Sequence, residues 1–185
     1  LIGYALHAGK AMVIAINKWD NLDQEQRAYI KKELERKLTF VDFADMHFIS
    51  ALHGTCVGDL FQSIDVAYEA ATKDLSTSAL TRVLERAIFA HQPPLVGSRR
   101  VKLRYAHAGG KNPPLIVVHG NQVEVLPGSY KRYLENTFRK AFNLRGTPVR
   151  MQFNQGDNPF KDQYNILTPR QKLKRQRLMK HVKKS

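Results

Sequence analysis

The run Met12-Val13-Ile14-Ala15-Ile16 is uninterruptedly apolar, and the polar residues Asn17-Lys18-Trp19-Asp20 follow it at once. Strands that are apolar on both faces belong to parallel sheets covered by helices on both sides. Such sheets receive ligands at the carboxyl ends of their strands. Asp23 and Gln26 stand at capping-box distance, and Ile30, Leu34 and Leu38 recur every four residues. This predicts a helix from about Asp23 to Leu38. A second short apolar strand is expected at His47-Phe48-Ile49, ending in Ser50-Ala51-Leu52. Gly54 and Gly58 then bracket a loop into a helix, in which Leu60, Phe61, Ile64, Ala67, Tyr68 and Ala71 keep helical spacing. The order is β-α-β-α. Two strands are too few for such a sheet, so further strands are expected ahead of Leu1, with the chain part of something longer.

The pattern changes near Leu75-Ser76-Thr77. A helix is predicted from about Ser78 to His91, with Leu80, Val83, Leu84, Ala87 and Ile88 on one face and Pro93-Pro94 as its stop. Val101 to Tyr105 alternates strictly, which puts Val101, Leu103 and Tyr105 inside and Lys102 and Arg104 outside. Gly109 to Pro114 is turn chemistry, and Leu115 to Val118 reads as the returning strand. After Pro127-Gly128 an amphipathic helix turns Tyr130, Tyr133, Leu134, Phe138, Ala141 and Phe142 inward, and Pro148 to Phe153 supplies a last strand. The second piece thus reads α-β-β-α-β, a small sheet covered by helices. The expected division is 1–74, 75–160 and a basic tail over 161–185.

Charge follows the same division. Residues 1–74 carry a net −3, residues 75–169 a net +9, and residues 170–185 a net +8 with no acidic residue, which together make the +14 of the chain. The basic rear calls for a polyanionic partner. The single Cys56 excludes an internal disulfide and suits a reducing compartment. No apolar run approaches the roughly 20 residues of a membrane-spanning helix, so no membrane span is expected.

Asp20 follows a buried strand, and an Asp carboxylate there offers two acceptor oxygens to the N1–H and N2–H₂ donors of guanine. Adenine presents an acceptor at the same edge and would leave the carboxylate unpaired. The Asn17 amide has the reach for another purine edge, the Lys18 stem can lie over the ring, and backbone N–H groups of Ser50-Ala51-Leu52 can face the guanine oxygen. The helix between the two strands makes them parallel neighbours through a right-handed crossover, bringing the two loops to one edge.

Asn17-Lys18-x-Asp20 and Ser50-Ala51-Leu52 resemble the two guanine-recognition motifs of Ras-like, translation-factor-class GTPases. The stretches Val13 to Asp20, His47 to Gly58, His91 to Pro94, Val101 to Pro114 and His119-Gly120-Asn121 extend the likeness over essentially the whole chain. Together they resemble the C-terminal part of the bacterial double-GTPase family Der, also called EngA, among the TrmE-Era-EngA-like GTPases. The resemblance implies the end of a second P-loop GTPase domain, then a KH-like domain and a basic tail. It further implies GTP or GDP with Mg²⁺ as ligands and GTP hydrolysis by the longer protein. The partners it implies are the upstream GTPase domains, the large ribosomal subunit and its rRNA, in a cytoplasmic, ribosome-associated setting.

The sequence departs from a complete GTPase. It contains no G-x-x-x-x-G-K-[ST] phosphate loop and no D-x-x-G motif, so no residue takes a catalytic role, no Mg²⁺ ligand is named, and the chain alone is expected to be inactive. It also lacks the G-x-x-G clamp by which standard KH domains grip RNA. The candidate surface is instead a basic one: Arg99, Arg100, Lys102, Arg104, Lys131, Arg132, Arg139 and Lys140, meeting rRNA phosphates or docking on the GTPase domains. In the tail, Lys172, Lys174, Arg175, Arg177, Lys180, Lys183 and Lys184 supply a sequence-independent electrostatic contribution. The seven His residues fall at no metal-ligand spacing, His107 and His119 flank the hairpin and are expected to pack or to bond its turn, and Cys56 has no base near it in sequence. The helical spacing of Tyr130, Tyr133, Phe138 and Phe142 marks core rather than a base-stacking platform. A second reading stays open: an RNA-binding adaptor whose front half only resembles a GTPase and binds no nucleotide.

Overall fold

The computed structural model describes residues 1–96 and 99–155. The tail candidates Lys172, Lys174, Arg175, Arg177, Lys180, Lys183 and Lys184, and the expected boundary at 160, lie outside the described residues.

The front piece runs α1 (Ile2–His7), β1 (Ile14–Ile16), α2 (Gln24–Lys37), β2 (Met46–Phe48) and α3 (Gly58–Thr72). Strands β1 and β2 pair in parallel, Ile14 opposite Met46 and Ile16 opposite Phe48. The α2 start is set by local chemistry. The Asp23 carboxylate accepts from the Gln26 N–H at 2.7 Å, and the Gln26 side chain accepts from the Asp23 N–H at 3.2 Å, a complete capping box. Strand β2 ends one residue earlier than the apolar run suggests, and Met12 and Val13 form an extended lead-in to β1.

One expectation needs correction here. Neither strand is buried on both faces: Ile14 and Ile16 are half-buried and Ala15 is exposed. On α3 the buried residues are Ser63, Ala67, Ala70 and Ala71, while Phe61, Ile64 and Tyr68 stand exposed. A pair of strands has too little area to cover both helix layers, so apolar faces remain open. The local core is small: Val41, Phe43 and Ala44, with Ile2, Leu6, Met12, Ile14 and Leu38 packed on it.

The rear piece is better filled. It comprises α4 (Thr77–Ala90), the short antiparallel pair β3 (Leu95–Val96) and β4 (Arg99–Arg100), then β5 (Lys102–Gly110), β6 (Leu115–Asn121), α5 (Gly128–Ala141) and β7 (Arg150–Gln155). The sheet order is β5-β6-β7, with β5-β6 antiparallel and β6-β7 parallel. Leu80, Leu84 and Ala87 of α4 and Tyr130, Leu134 and Phe138 of α5 pack on Ala106, Ile116 and Val118. This is the expected α-β-β-α-β unit, with the β3-β4 pair added.

The strict alternation expected from Val101 to Tyr105 fails. Leu103 pairs with Gly120 but Tyr105 with His119, so Arg104 is an extra residue in a β-bulge. The bulge reverses the inward and outward sense beyond it. Tyr105 is therefore 43% exposed on the outer face, and Ala106 takes the core position. Ala141, expected inside, is exposed as well, because α5 ends there.

The two pieces are joined by more than the α3–α4 link. Gly146 donates its N–H to Phe43 O (2.8 Å) and accepts from Met12 N–H (2.7 Å), so it bridges the approaches to both front strands. Its φ is +69°, and a Cβ there would overlap the Ala67 side chain and meet Ala67 Cα at 3.0 Å. Arg139 and Arg145 reach Asp42 and Asp45, each at 2.7 Å. Arg150 donates to His7 O (2.7 Å), and Asn112 N–H to Ala71 O (2.9 Å).

Candidate functional site

Asn17, Lys18 and Asp20 leave the end of β1, and Ser50, Ala51 and Leu52 leave the end of β2, so parallel pairing sets both loops on one edge. Backbone N–H groups fasten the loops together. Asn17 Oδ1 accepts from Ala51 N–H at 3.0 Å and from Lys18 N–H at 2.8 Å. Trp19 donates its backbone N–H to Ile49 O at 3.1 Å. The Ser50 hydroxyl, on a residue only 2% exposed, neighbours the Asp20 carboxylate. The Ser50 hydroxyl is the main reason the Asp20 carboxyl is held below its ordinary range, with its own backbone, His53 and Arg27 adding in the same direction. These neighbours favour the ionised carboxylate.

Geometry refines two of the sequence expectations. The Asn17 carbonyl is a tether between the loops, and the Ala51 N–H is donated to it rather than left for a purine oxygen. Lys18 sits in the left-handed region at φ 64°, which turns the chain sharply between Asn17 and Trp19. The Leu52 side chain is 83% exposed beside the loops. Trp19 lies on Phe48 with centroids 4.2 Å apart, and the Arg27 guanidinium lies 5.9 Å from its ring centroid. Trp19 is thus a loop anchor, a role that sequence spacing did not disclose. His53 Nε2 stands 3.6 Å from Asp20 Oδ2, a neighbour also missed.

The basic candidates do not form one set. Arg100, Lys102, Arg104, Arg132 and Lys140 are exposed, whereas Lys131 is half-buried, with its ammonium 5.3 Å from the Phe153 ring centroid. Arg139 is not on a free face. Its side chain, only 15% exposed, bridges Asp42 and Glu135 and lies over the Phe43 ring. Together with Lys140 and Arg145 it lines a cleft of about 280 Å³ against Asp42, Phe43 and Asp45. Arg139 therefore serves the docking alternative rather than a phosphate contact. His107 and His119 do not bond the turn; they face each other across β5 and β6. Tyr130 and Phe138 are core. Among the described residues no helix is long and apolar enough to cross a membrane.

Fold and loop geometry define a class: an α/β piece with two motif-bearing loops at one strand edge, bonded to a KH-like α-β-β-α-β unit. Comparison with known proteins agrees. Residues 75–154 match the family described as the KH-domain-like of EngA bacterial GTPase enzymes, C-terminal. Over its whole length the chain is 59% identical to GTPase Der of Teredinibacter turnerae, of which it covers 40%. It is 60% identical to GTPase Der of Thioalkalivibrio sulfidiphilus, again covering 40%, and 57% identical to that of Erwinia tasmaniensis, covering 37%. The chain thus matches the C-terminal part of GTPase Der (EngA) proteins and spans about two-fifths of the length of these curated relatives.

Proposed function

We propose that residues 1–74 are the guanine-recognising end of a second GTPase domain, and that the KH-like domain and tail behind it face rRNA. The longer protein would bind and hydrolyse GTP with Mg²⁺ during assembly of the large ribosomal subunit, in the bacterial cytoplasm. The observation that supports this most is the joining of the two loops: Asn17 holds Ala51 at 3.0 Å, and Asp20 stands at the same edge with its carboxyl held below its ordinary range. An ionised carboxylate fixed at the carboxyl edge of parallel strands accepts from guanine N1–H and N2–H₂ and rejects adenine. The name GTPase Der, borne by relatives that match the entire chain, supports the same reading.

Phosphate-binding chemistry is assigned elsewhere, because this sequence contains no G-x-x-x-x-G-K-[ST] loop. The chain alone is accordingly expected to release no phosphate from GTP above background, and turnover by the purified chain would refute that. The specificity assignment is tested by Asp20→Asn in the longer protein, with GTP, ATP and XTP in competition. The amide exchanges one acceptor for a donor, so GTP affinity falls and XTP affinity, which gains an acceptor oxygen at C2, rises. Unchanged GTP affinity overturns the assignment, and failure of both proteins to bind any nucleotide favours the RNA-binding adaptor.

A further inference from the structure

The outer face of the β5-β6-β7 sheet plays no part in either site above. The bulge at Arg104 places Tyr105 on that face, and register places His107 beside Val117 and His119 beside both Tyr105 and Asn154. Tyr105 and His119 are parallel to within 4°, with ring centroids 4.6 Å apart. His107 lies 5.1 Å from His119. The two imidazoles are held by polar contacts. His107 Nδ1 is 3.0 Å from Ala108 O, a carbonyl that can only accept, so Nδ1 bears a proton. His107 Nε2 lies 3.1 Å from His119 Nε2, one ring donating to the other.

The charge on this face has one sign. None of the three strands contains an Asp or Glu. Lys102 shares the outer face with Tyr105, Arg104 occupies the bulge between them, and both cations are exposed. Neither is in an ion pair among the described residues. Arg150, at the other end, is taken up by His7 O. The Gln152 amide bonds Asn154 at 3.0 Å, leaving further amide donors and acceptors next to the rings.

We propose that this outer face binds unpaired RNA, with a base stacked on the Tyr105–His119 ring pair and adjacent phosphates at Lys102 and Arg104. The inference rests on the RNA-facing reading of the KH-like domain and assigns a surface to it. Exposed aromatic and imidazole rings flanked by cations are how single strands are held without a groove, since every base has a π-face and every nucleotide a phosphate. A-form duplex, with its bases already stacked, offers the rings nothing to take. Rings held in place beforehand lose little rotamer freedom on binding. Cross-strand stacking also stabilises a sheet, so the test separates stability from binding.

The probe is an oligoadenylate of about eight nucleotides, labelled with fluorescein and, separately, with a central 2-aminopurine. It is titrated into the full chain, with a duplex of equal length and a polyglutamate peptide as competitors. The expected results are quenching of 2-aminopurine and preference for the single strand over the duplex. Tyr105→Leu should weaken binding by roughly 5- to 150-fold, the range for loss of one stacked base. Its salt slope should stay unchanged, and Tyr105→Phe should restore affinity. Replacing Lys102 and Arg104 by Gln should instead make the salt slope shallower by roughly 0.7 for each phosphate no longer neutralised. Melting curves establish that each variant is folded, and Tyr105→Phe keeps the ring where Tyr105→Leu unfolds.

If the chain binds RNA with Tyr105→Leu at wild-type affinity, the stacking surface is refuted while the RNA-facing reading stands. If polyglutamate competes as well as the oligonucleotide and 2-aminopurine is not quenched, the face is a generic anion surface and the proposal fails. If the chain binds no RNA at all, both this proposal and the reading beneath it fall.

Discussion

Gly146→Ala should separate the front strands from the KH-like domain. At φ +69° an L side chain costs about 1–2 kcal/mol relative to glycine. The new Cβ would also overlap the Ala67 side chain and press on Ala67 Cα, and overpacking of this kind costs about 1–3 kcal/mol. The combined loss is about 2–5 kcal/mol, which for a chain of this length lowers Tm by roughly 5–15 °C. The strain falls on two backbone bonds, Gly146 N–H to Phe43 O and Met12 N–H to Gly146 O. Hydrogen exchange at the Met12 and Gly146 amides should therefore accelerate more than exchange in the β5-β6 ladder.

The double variant with Ala67→Gly divides the two causes. Removing the Ala67 methyl relieves the overlap but not the backbone strain, so it should recover the packing share and leave about 1–2 kcal/mol unrecovered. The chain's single Trp19, packed at a tilt on Phe48 at the far end of β2, provides an optical readout of whether the front strands shift. Two results would refute the reasoning: a single variant melting within about 2 °C of the parent, or slow exchange retained at both amides.

The remaining expectations concern pH and charge. Burial, with Tyr133 adding to it, pushes the Tyr130 phenol up to about 12, so its neutral form is favoured in the fold. Its contribution to stability is full below the unfolded phenol value near 10 and is lost as pH rises from there through about 12. Melting followed against alkaline pH should show this loss, and Tyr130→Phe should remove that part of the dependence. Deleting residues 170–185 removes +8 of charge and no acidic residue. The melting of the α-β-β-α-β unit should hardly change, while RNA affinity falls and its salt slope flattens by roughly 0.7–0.9 per phosphate released. A deletion that unfolds the unit and keeps the slope would overturn the polyanion role of the tail.

What could be seen in the sequence was what short-range chemistry decides. The capping box of Asp23 and Gln26 formed as expected because both partners lie within one turn. The loops after the two front strands came together because a helix between parallel strands leaves no other right-handed arrangement. Tyr105 escaped because its direction depends on how β5 pairs with β6, and one extra residue at Arg104 reverses the pattern beyond it. Arg139 escaped for a different reason. Its helical position correctly makes it polar, but only the approach of Asp42, distant in sequence, turns a polar position into a largely covered bridge. The exposure of Phe61, Ile64 and Tyr68 follows from the same limit, since helical spacing defines an apolar face without saying what covers it.

The junction and the candidate guanine loops lie at opposite ends of the same two strands. Gly146 holds Met12 ahead of β1 and Phe43 ahead of β2, while Asn17 and Ser50 follow those strands. Each strand has three residues, so at about 3.3 Å per residue the separation is on the order of 10 Å. Over that span the path is paired backbone from Ile14 and Met46 to Ile16 and Phe48, continued by Ile49 N–H donated to Ile16 O at 2.9 Å. A paired ladder of this length has no hinge at which a displacement can be absorbed. A shift of the KH-like domain must therefore either break the bonds at Gly146 or move the Asn17–Ala51 tether with the strands. Arg139 and Arg145 oppose the first outcome by gripping Asp42 and Asp45 on either side of Phe43. The geometry makes the edge bearing Asp20 and the KH-like domain one mechanical body.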